Sequence, residues 1–234
     1  MEKKYRHEYK YRLDAAQAAV LEARVSLLLR SDCHTGTDGN YLIKSLYFDD
    51  YADSCYWEKE DGVNERSKFR IRYYNNDTGY IRLEKKSKEN GMTCKESCLI
   101  TEKMCREFMS GSVPAVREDM PDKLKRLLTE MRLKGLIPKV IVIYERKPYI
   151  CGIGNVRVTF DRKLAASNDI VHFLEEVQVL RPVMQKGESL LEVKWDELLP
   201  DYIREHLSLE SLQWTSFSKY SLCRKYDCYG GLGV

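Results

Sequence analysis

Along much of this chain, charged residues hold every second position inside segments whose other positions are apolar or aromatic. Arg6, Glu8 and Lys10 alternate with Tyr5, His7, Tyr9 and Tyr11, and Arg70 and Arg72 alternate with Phe69, Ile71 and Tyr73. Arg82, Glu84 and Lys86 interleave with Ile81 and Leu83. Arg157 lies between Val156 and Val158, and Glu192 and Lys194 alternate with Leu191, Val193 and Trp195. Successive strand residues point to opposite faces, so each segment predicts a strand with one apolar and one charged face. Charged faces turned to solvent on an ordinary sandwich are the competing reading. Two features weigh against it. Arginine is preferred to lysine at positions 70, 72, 146 and 157, and the opposite faces (Phe69, Ile71, Leu83, Ile141, Ile143, Val193) need cover of their own.

The remaining pattern predicts the connections. Asp14 caps a helix running to about Arg30, with Val20, Leu21, Val25, Leu28 and Leu29 as its apolar stripe. A strand follows near Tyr41–Phe48, then a three-strand meander from Ser67 to Thr101. The meander turns at 75–79 and at Glu89-Asn90-Gly91. Helices are expected at 101–110 and 121–134, the second stopped by Gly135 and Pro138. Strands at 139–147, 155–162, 170–180 and 189–195 precede a short helix from Pro200 and a last helix over 216–226. Short connections make the strands mostly antiparallel. The fold class expected is α+β: one domain over 1–234, built as a closed antiparallel β-barrel of about eight strands with helices packed on the outside.

The chain of 234 residues carries a net charge of only +3, so any polyanion specificity must come from where the charge is placed. No apolar run approaches the roughly 20 residues that span a bilayer. The opening residues lack a secretory apolar segment, so the expected location is cytoplasmic. The 8 cysteines are scattered without a C-x-x-C pair and read as reduced and structural. No phosphate-binding glycine loop, H-E-x-x-H or Ser-His-Asp arrangement is present; His7 falls on the apolar side of its strand and reads as structural. Any catalysis is therefore expected to work by positioning and electrostatics.

The charged faces supply a basic set (Arg6, Lys10, Arg70, Arg72, Arg82, Lys86, Lys95, Arg146, Arg157 and Lys194) and an acidic set of Glu8, Glu84, Asp161 and Glu192. Glu192 and Glu8 are the candidate metal ligands, since a divalent ion in phosphoryl chemistry takes one or two protein carboxylates plus phosphate oxygens and water. Glu84 reads instead as an internal salt bridge.

Taken in order, Tyr5-Arg6-His7-Glu8-Tyr9-Lys10-Tyr11, Ser45-Leu46-Tyr47-Phe48-Asp49, Lys68-Phe69-Arg70-Ile71-Arg72-Tyr73, Leu83-Glu84-Lys85-Lys86, Tyr144-Glu145-Arg146, Val156-Arg157-Val158-Thr159-Phe160-Asp161, Leu191-Glu192-Val193-Lys194-Trp195 and Ser216-Phe217-Ser218-Lys219-Tyr220 form a recognisable series. The series resembles the catalytic domain of the vacuolar transporter chaperone complex, a VTC-type polyphosphate polymerase domain of the triphosphate tunnel metalloenzymes. The likeness runs from about residue 5 to about 226. It implies a tunnel that holds a phosphate chain, Mn2+ or Mg2+ at a glutamate, and transfer of the γ-phosphate of ATP to growing polyphosphate. It assigns phosphate contacts to Lys10, Arg70, Arg72, Lys86, Lys95, Arg146, Arg157 and Lys219, hydrogen bonds to Tyr144 and Ser218, and the metal to Glu192. Lys10, Arg70, Arg72, Arg146 and Arg157 are thus the expected catalytic cations. Arg6 and Lys194 join the expected substrate contacts.

One departure is instructive. The hydrolytic branch carries E-x-E-x-K on its first strand, whereas Arg6 stands here in place of the first glutamate, which favours the polymerase branch. The alternatives are a metal-dependent phosphohydrolase of triphosphate or nucleoside triphosphate, and a non-catalytic polyphosphate sensor. The partners expected are ATP and polyphosphate, with membrane passage left to a separate membrane partner; nucleic acid is not expected.

Overall fold

The computed structural model describes residues 4–33, 35–36, 38–209 and 212–229. In chain order the elements are β1 (Tyr5–Leu13), α1 (Ala15–Leu28), β2 (Arg30–Ser31), β3 (Tyr41–Asp49), α2 (Ser54–Glu60), β4 (Arg66–Tyr74), β5 (Ile81–Glu89), β6 (Met92–Ile100), α3 (Glu102–Met109), α4 (Asp122–Leu133), β7 (Ile137–Cys151), β8 (Val156–Ser167), β9 (Arg181–Pro182), β10 (Ser189–Trp195), α5 (Asp201–His206) and α6 (Lys219–Tyr229). Eight strands form a closed antiparallel ring in the order β7-β3-β4-β5-β6-β1-β10-β8, with β8 returning to β7. Closure leaves no free sheet edge around the ring.

The alternation in the sequence becomes inside and outside. Phe69, Ile71 and Leu83 are buried on the outer wall under α3 and α4, in one cluster with Phe108, Leu124, Leu127, Leu128 and Met131. Val158, Phe160, Leu191 and Val193 are covered by α1 and α5. Tyr9 and His7 are exposed outer-wall residues that pack on Trp195, edge-on at 4.8 Å and stacked at 5.2 Å. A capping box of Asp14 and Gln17 starts α1. Its buried stripe is Ala18, Leu21, Val25 and Leu29, because Val20 and Leu28 turn outward, contrary to the sequence expectation.

Two further expectations are corrected. Residues 170–180 do not form a strand: Ile170–His172 makes a 3-10 turn, and only Arg181–Pro182 pairs with β8. Both edges of β8 are already taken along most of its length by β10 and β7, so the segment folds over the outer wall instead. There Phe173 packs on Tyr73 (5.2 Å), whose hydroxyl donates to its carbonyl. The last helix begins at Lys219, not 216, because 214–218 is extended. β1 pairs with β6 only through Tyr5 and Arg6. Beyond that point Trp214 bridges to Tyr11, and the Thr215 amide donates to the Lys10 carbonyl, which closes the seam. Helix α2, which the sequence reading did not anticipate, is held by buried Asp49, which accepts from the Cys55 and Tyr56 amides.

A bulge in β8 decides what reaches the site. Lys163 takes a left-handed backbone (φ 52°), and the pairing with β7 slips between Ile143 and Glu145. A one-residue slip inverts the facing of a strand. Before the bulge Arg157, Thr159 and Asp161 face inward. After it Leu164 and Ala166 do, packing with Val140, Val142, Tyr220 and Cys223. That apolar interior seats α6 at one end of the barrel.

Candidate functional site

The barrel encloses a cavity of about 440 Å³. Fifteen lysines and arginines line it against two glutamates, Glu8 and Glu192, although the whole chain carries only +3. The wall is therefore where the protein concentrates its positive charge. The fourteen residues expected to contact substrate or metal all line this one cavity: Arg6, Glu8, Lys10, Arg70, Arg72, Lys86, Lys95, Tyr144, Arg146, Arg157, Glu192, Lys194, Ser218 and Lys219.

Strand register explains the convergence. Lys10 lies opposite Glu192, and Glu8 opposite Lys194, across β1 and β10. Arg70 pairs with Glu84, and Lys68 with Lys86, across β4 and β5. Arg146 pairs with Asp161 across β7 and β8. Inward residues two apart on neighbouring strands thus form layers of cations around the axis.

Three of the four arginines expected to be catalytic are braced by carboxylates. Arg146 makes a bidentate pair with Asp161 (2.6 and 2.7 Å) and reaches Glu192 at 3.1 Å. Arg70 holds Glu84 at 2.7 and 2.8 Å and donates to the Tyr47 hydroxyl. Arg157 contacts Asp32 and Tyr41, each at 2.8 Å. Arg72 differs. It is 5% exposed and donates only to neutral oxygens, Ser45 Oγ at 2.9 Å and Tyr144 Oη at 3.0 Å; no carboxylate pairs with it among the described residues. Its charge is the least compensated of the four and is fixed in direction, which is what bidentate phosphate recognition requires.

Glu84, as expected, is an internal salt bridge, although its partners are Arg70 and Lys95 across the sheet and not its chain neighbours Arg82 and Lys86. Lys219 reaches Asp161 at 2.6 Å and lies over the Tyr144 ring at 4.8 Å. Arg6 sits at the rim, paired with Asp196 at 2.7 Å and donating to the Asn155 carbonyl. Arg82 does not line the cavity; it donates to Ser97 and Tyr80.

Glu8 and Glu192 are adjacent buried carboxylates. Glu8 contacts Lys86 (2.5 Å) and Lys10 (3.0 Å); Glu192 contacts Lys194 (3.0 Å), Arg146 and Lys10 (3.8 Å). Burial alone would raise both carboxyls. The surrounding cations win, holding Glu8 at about 2 and Glu192 well below the carboxylate range, so both are ionised at neutral pH. Thr159 Oγ1 is buried without a hydrogen-bond partner and lies opposite Glu192 in the ladder. Two carboxylates and an orphaned hydroxyl suit a hard divalent ion whose remaining ligands are phosphate oxygens and water. No cluster of three or more Asp, Glu, His or Cys able to hold a metal occurs among the described residues.

The sequence reading passed over Lys59, Arg66, Lys68 and Lys88, which also line the cavity. Lys68 was within reach of the same signal, standing two residues before Arg70 in the alternation. It donates to Ser218 Oγ (3.1 Å) and Ser221 Oγ (3.5 Å) over the Tyr220 ring at 4.7 Å. Burial away from any carboxylate partner pushes it down to about 7. Lys59 lies on α2, an element that the pattern did not reveal.

A closed antiparallel barrel with a cation-lined bore and paired glutamates defines a triphosphate tunnel protein. Residues 5–226 match the VTC domain, and the chain belongs to that family. Tunnel proteins of this superfamily generally use divalent metals. No curated protein sequence matches the chain. Among solved structures, it is similar to a candidate adenylyl cyclase from Hippeastrum, described as having a dominant triphosphatase activity: TM-score 0.57, 16% identity, covering 94% of this chain and 95% of that one. A candidate adenylate cyclase from Bacillus halodurans gives TM-score 0.51 at 11% identity, covering 88% and 87%. At these identities the likeness concerns the fold.

Proposed function

We propose that the protein is an ATP-dependent polyphosphate polymerase, transferring the γ-phosphoryl group of ATP to an inorganic polyphosphate chain held in the tunnel. The observation that carries this reading is the wall of fifteen cations against two glutamates, extending along the whole cavity. A site for a single nucleotide triphosphate needs far fewer, whereas a chain bearing about one negative charge per phosphate needs cations along its length. Membership of the VTC domain family points the same way.

In this reading Arg72, Arg146 and Lys219 hold the transferring phosphoryl group. Arg70, Arg157, Lys10, Lys86, Lys95, Lys194, Arg6 and Ser218 hold the flanking phosphates. A terminal oxygen of the acceptor chain attacks the γ-phosphorus in line, the bond to the β-phosphate oxygen breaks, and ADP leaves. Glu8 and Glu192 would hold Mn2+ or Mg2+, which when bound offsets charge on the phosphate oxygens. Asp161 and Glu84 keep Arg146 and Arg70 in fixed directions before substrate arrives, so little reorganisation accompanies transfer. No helix among the described residues is long and apolar enough to cross a membrane.

The Hippeastrum likeness favours a second reading, hydrolysis of triphosphate. Incubation with ATP and Mn2+ or Mg2+, with gel analysis of phosphate chains and assay of orthophosphate, separates the two. Chains made by the wild type and lost in Glu192→Gln support the polymerase. Orthophosphate without chains overturns it in favour of the hydrolase, and absence of turnover overturns both in favour of a binding module.

A further inference from the structure

The two ends of the cavity differ in electrostatics. At the end where β1 begins, the rim cations are neutralised: Lys4 and Arg6 share Asp196, at 2.6 and 2.7 Å, and Arg157 pairs with Asp32 at 2.8 Å. At the other end, bordered by the turn at Gly91, α2 and the extended 214–218 segment, the lining cations are Lys59, Arg66, Lys68 and Lys88. None of these four is in an ion pair among the described residues. Lys59 reaches Ser216 Oγ at 3.5 Å, Arg66 donates to the Val63 carbonyl, and Lys68 donates to Ser218 and Ser221. Glu58 on α2 is near enough to influence Arg66 and Lys68 but pairs with neither. Arg66 and Lys88 face each other directly in the β4–β5 ladder. Two cations opposite one another without a carboxylate repel, and an interior neighbour such as Lys68 adds a desolvation cost. Such an arrangement gains most from a bound polyanion.

We infer that Lys59, Arg66, Lys68 and Lys88 form a second anion subsite, which grips the condensed phosphate chain several units beyond the reacting phosphate, and that the chain leaves by this mouth. The inference rests on the polymerase reading for the direction of travel, but the subsite itself is a binding property. Arg66, Lys68, Arg70 and Arg72 alternate along one strand, so the subsite begins beside the reacting zone and ends about 20 Å from Arg72. A triphosphate bound at Arg72 and Arg146 falls short of it, whereas a long chain reaches it. Length selectivity follows.

The test is calorimetric binding of two probes, inorganic tripolyphosphate and long-chain inorganic polyphosphate, without nucleotide, to a Lys59→Gln/Arg66→Gln/Lys88→Gln variant. A thermal melt is run alongside to establish that it is folded. The expected result is a loss of roughly tenfold or more for the long chain, with a shallower salt dependence, and little change for tripolyphosphate. A Lys4→Gln variant at the opposite mouth should leave the preference for long chains intact. Equal losses for both probes, an unchanged long-chain affinity, or a larger effect from the opposite mouth would overturn the inference. If the triple variant fails to fold, Lys88→Gln alone is read by the same criteria. Because binding is read without turnover, absence of polymerase activity would sink the functional reading and leave this result standing on its own.

Discussion

Tyr220 on α6 donates its hydroxyl to the fully buried carboxylate of Asp49, at the end of β3, over 2.5 Å. The bond fixes the first turn of α6 in the barrel mouth, and with it the neighbouring Lys219, which reaches Asp161 and the Tyr144 ring. Burial and the adjacent Asp49 charge push the phenol pKa far upward, so it stays a donor at any working pH. Tyr220→Phe is expected to destabilise the protein by about 1–3 kcal/mol, since Asp49 retains only amide donors. It should also weaken turnover through a displaced Lys219. Chemical denaturation checks the first effect, and comparison with Lys219→Ala the second: if Lys219 is already misplaced, the double variant is no slower than Lys219→Ala.

Arg72 is the arginine whose charge meets no carboxylate. Arg72→Lys keeps the charge but loses the planar fork to Ser45 and Tyr144. We expect a drop in turnover of about 10²–10³-fold with a melting temperature close to wild type. Retention of full turnover would remove Arg72 from the reacting zone.

Glu192→Gln should separate binding from chemistry. Removing one of the two lining carboxylates makes the tunnel more positive, so tripolyphosphate measured without metal should bind at least as tightly as to wild type, while metal-dependent turnover is lost. Weaker metal-free binding would show that Glu192 instead orients Arg146 and Lys194.

Lys68 predicts a pH dependence near neutrality. Burial lowers it to about 7; Lys10 from β1, Arg66 on its own strand and Lys59 from α2 push in the same direction, while the Cys55 thiol opposes and Ser218 and Ser221 are neutral. Below pH 7 Lys68 is charged, and above it becomes neutral, so affinity for long-chain polyphosphate should fall between pH 6 and 8. Lys68→Met should flatten that fall. Stability shifts oppositely: between pH 7 and about 10.4 the unfolded chain holds a proton that folded Lys68 has released, so raising the pH through this window favours the folded state.

Glu84 predicts an acid limit. Burial would raise its carboxyl, but Arg70, Arg72 and Lys95 hold it well below the usual range. Its contribution to stability is therefore present above about pH 4.3 and is lost as the pH falls toward its folded value. Glu84→Gln at neutral pH leaves buried Arg70 uncompensated and should cost about 3–5 kcal/mol. Thermal melts from pH 7 to 3 should show that loss already present in the variant and developing with acid in the wild type.

Much of this arrangement was legible in the chain. The period-2 alternation at Arg70 and Arg72, at Glu8 and Lys10 and at Glu192 and Lys194 identified the strands, because a half-buried strand must separate its faces. It also identified the bore, because charge repeated on so many strands has to converge. Helices α3 and α4 were found close to their bounds for a similar local reason: each carries its own stop and start signals. The strand expected at 170–180 was not realised, since strand propensity in Val177-Gln178-Val179-Leu180 counts only where a partner edge is free.

Local sequence thus determined which face of each strand is charged, since side-chain facing depends only on parity along the strand. Tertiary structure alone decided which charges meet. Glu84 looks toward Arg82 and Lys86 in sequence but pairs with Arg70 and Lys95, because partners are chosen by register across the sheet. The bulge at Lys163 turns the end of β8 from charged to apolar inside the barrel and so makes the seat for α6. The 214–218 segment, tied to β1 through Thr215 and Phe217, brings Ser218 and Lys219 into the bore from the far end of the chain. These outcomes depend on closure of the ring, a condition on all eight strands at once that no single segment contains.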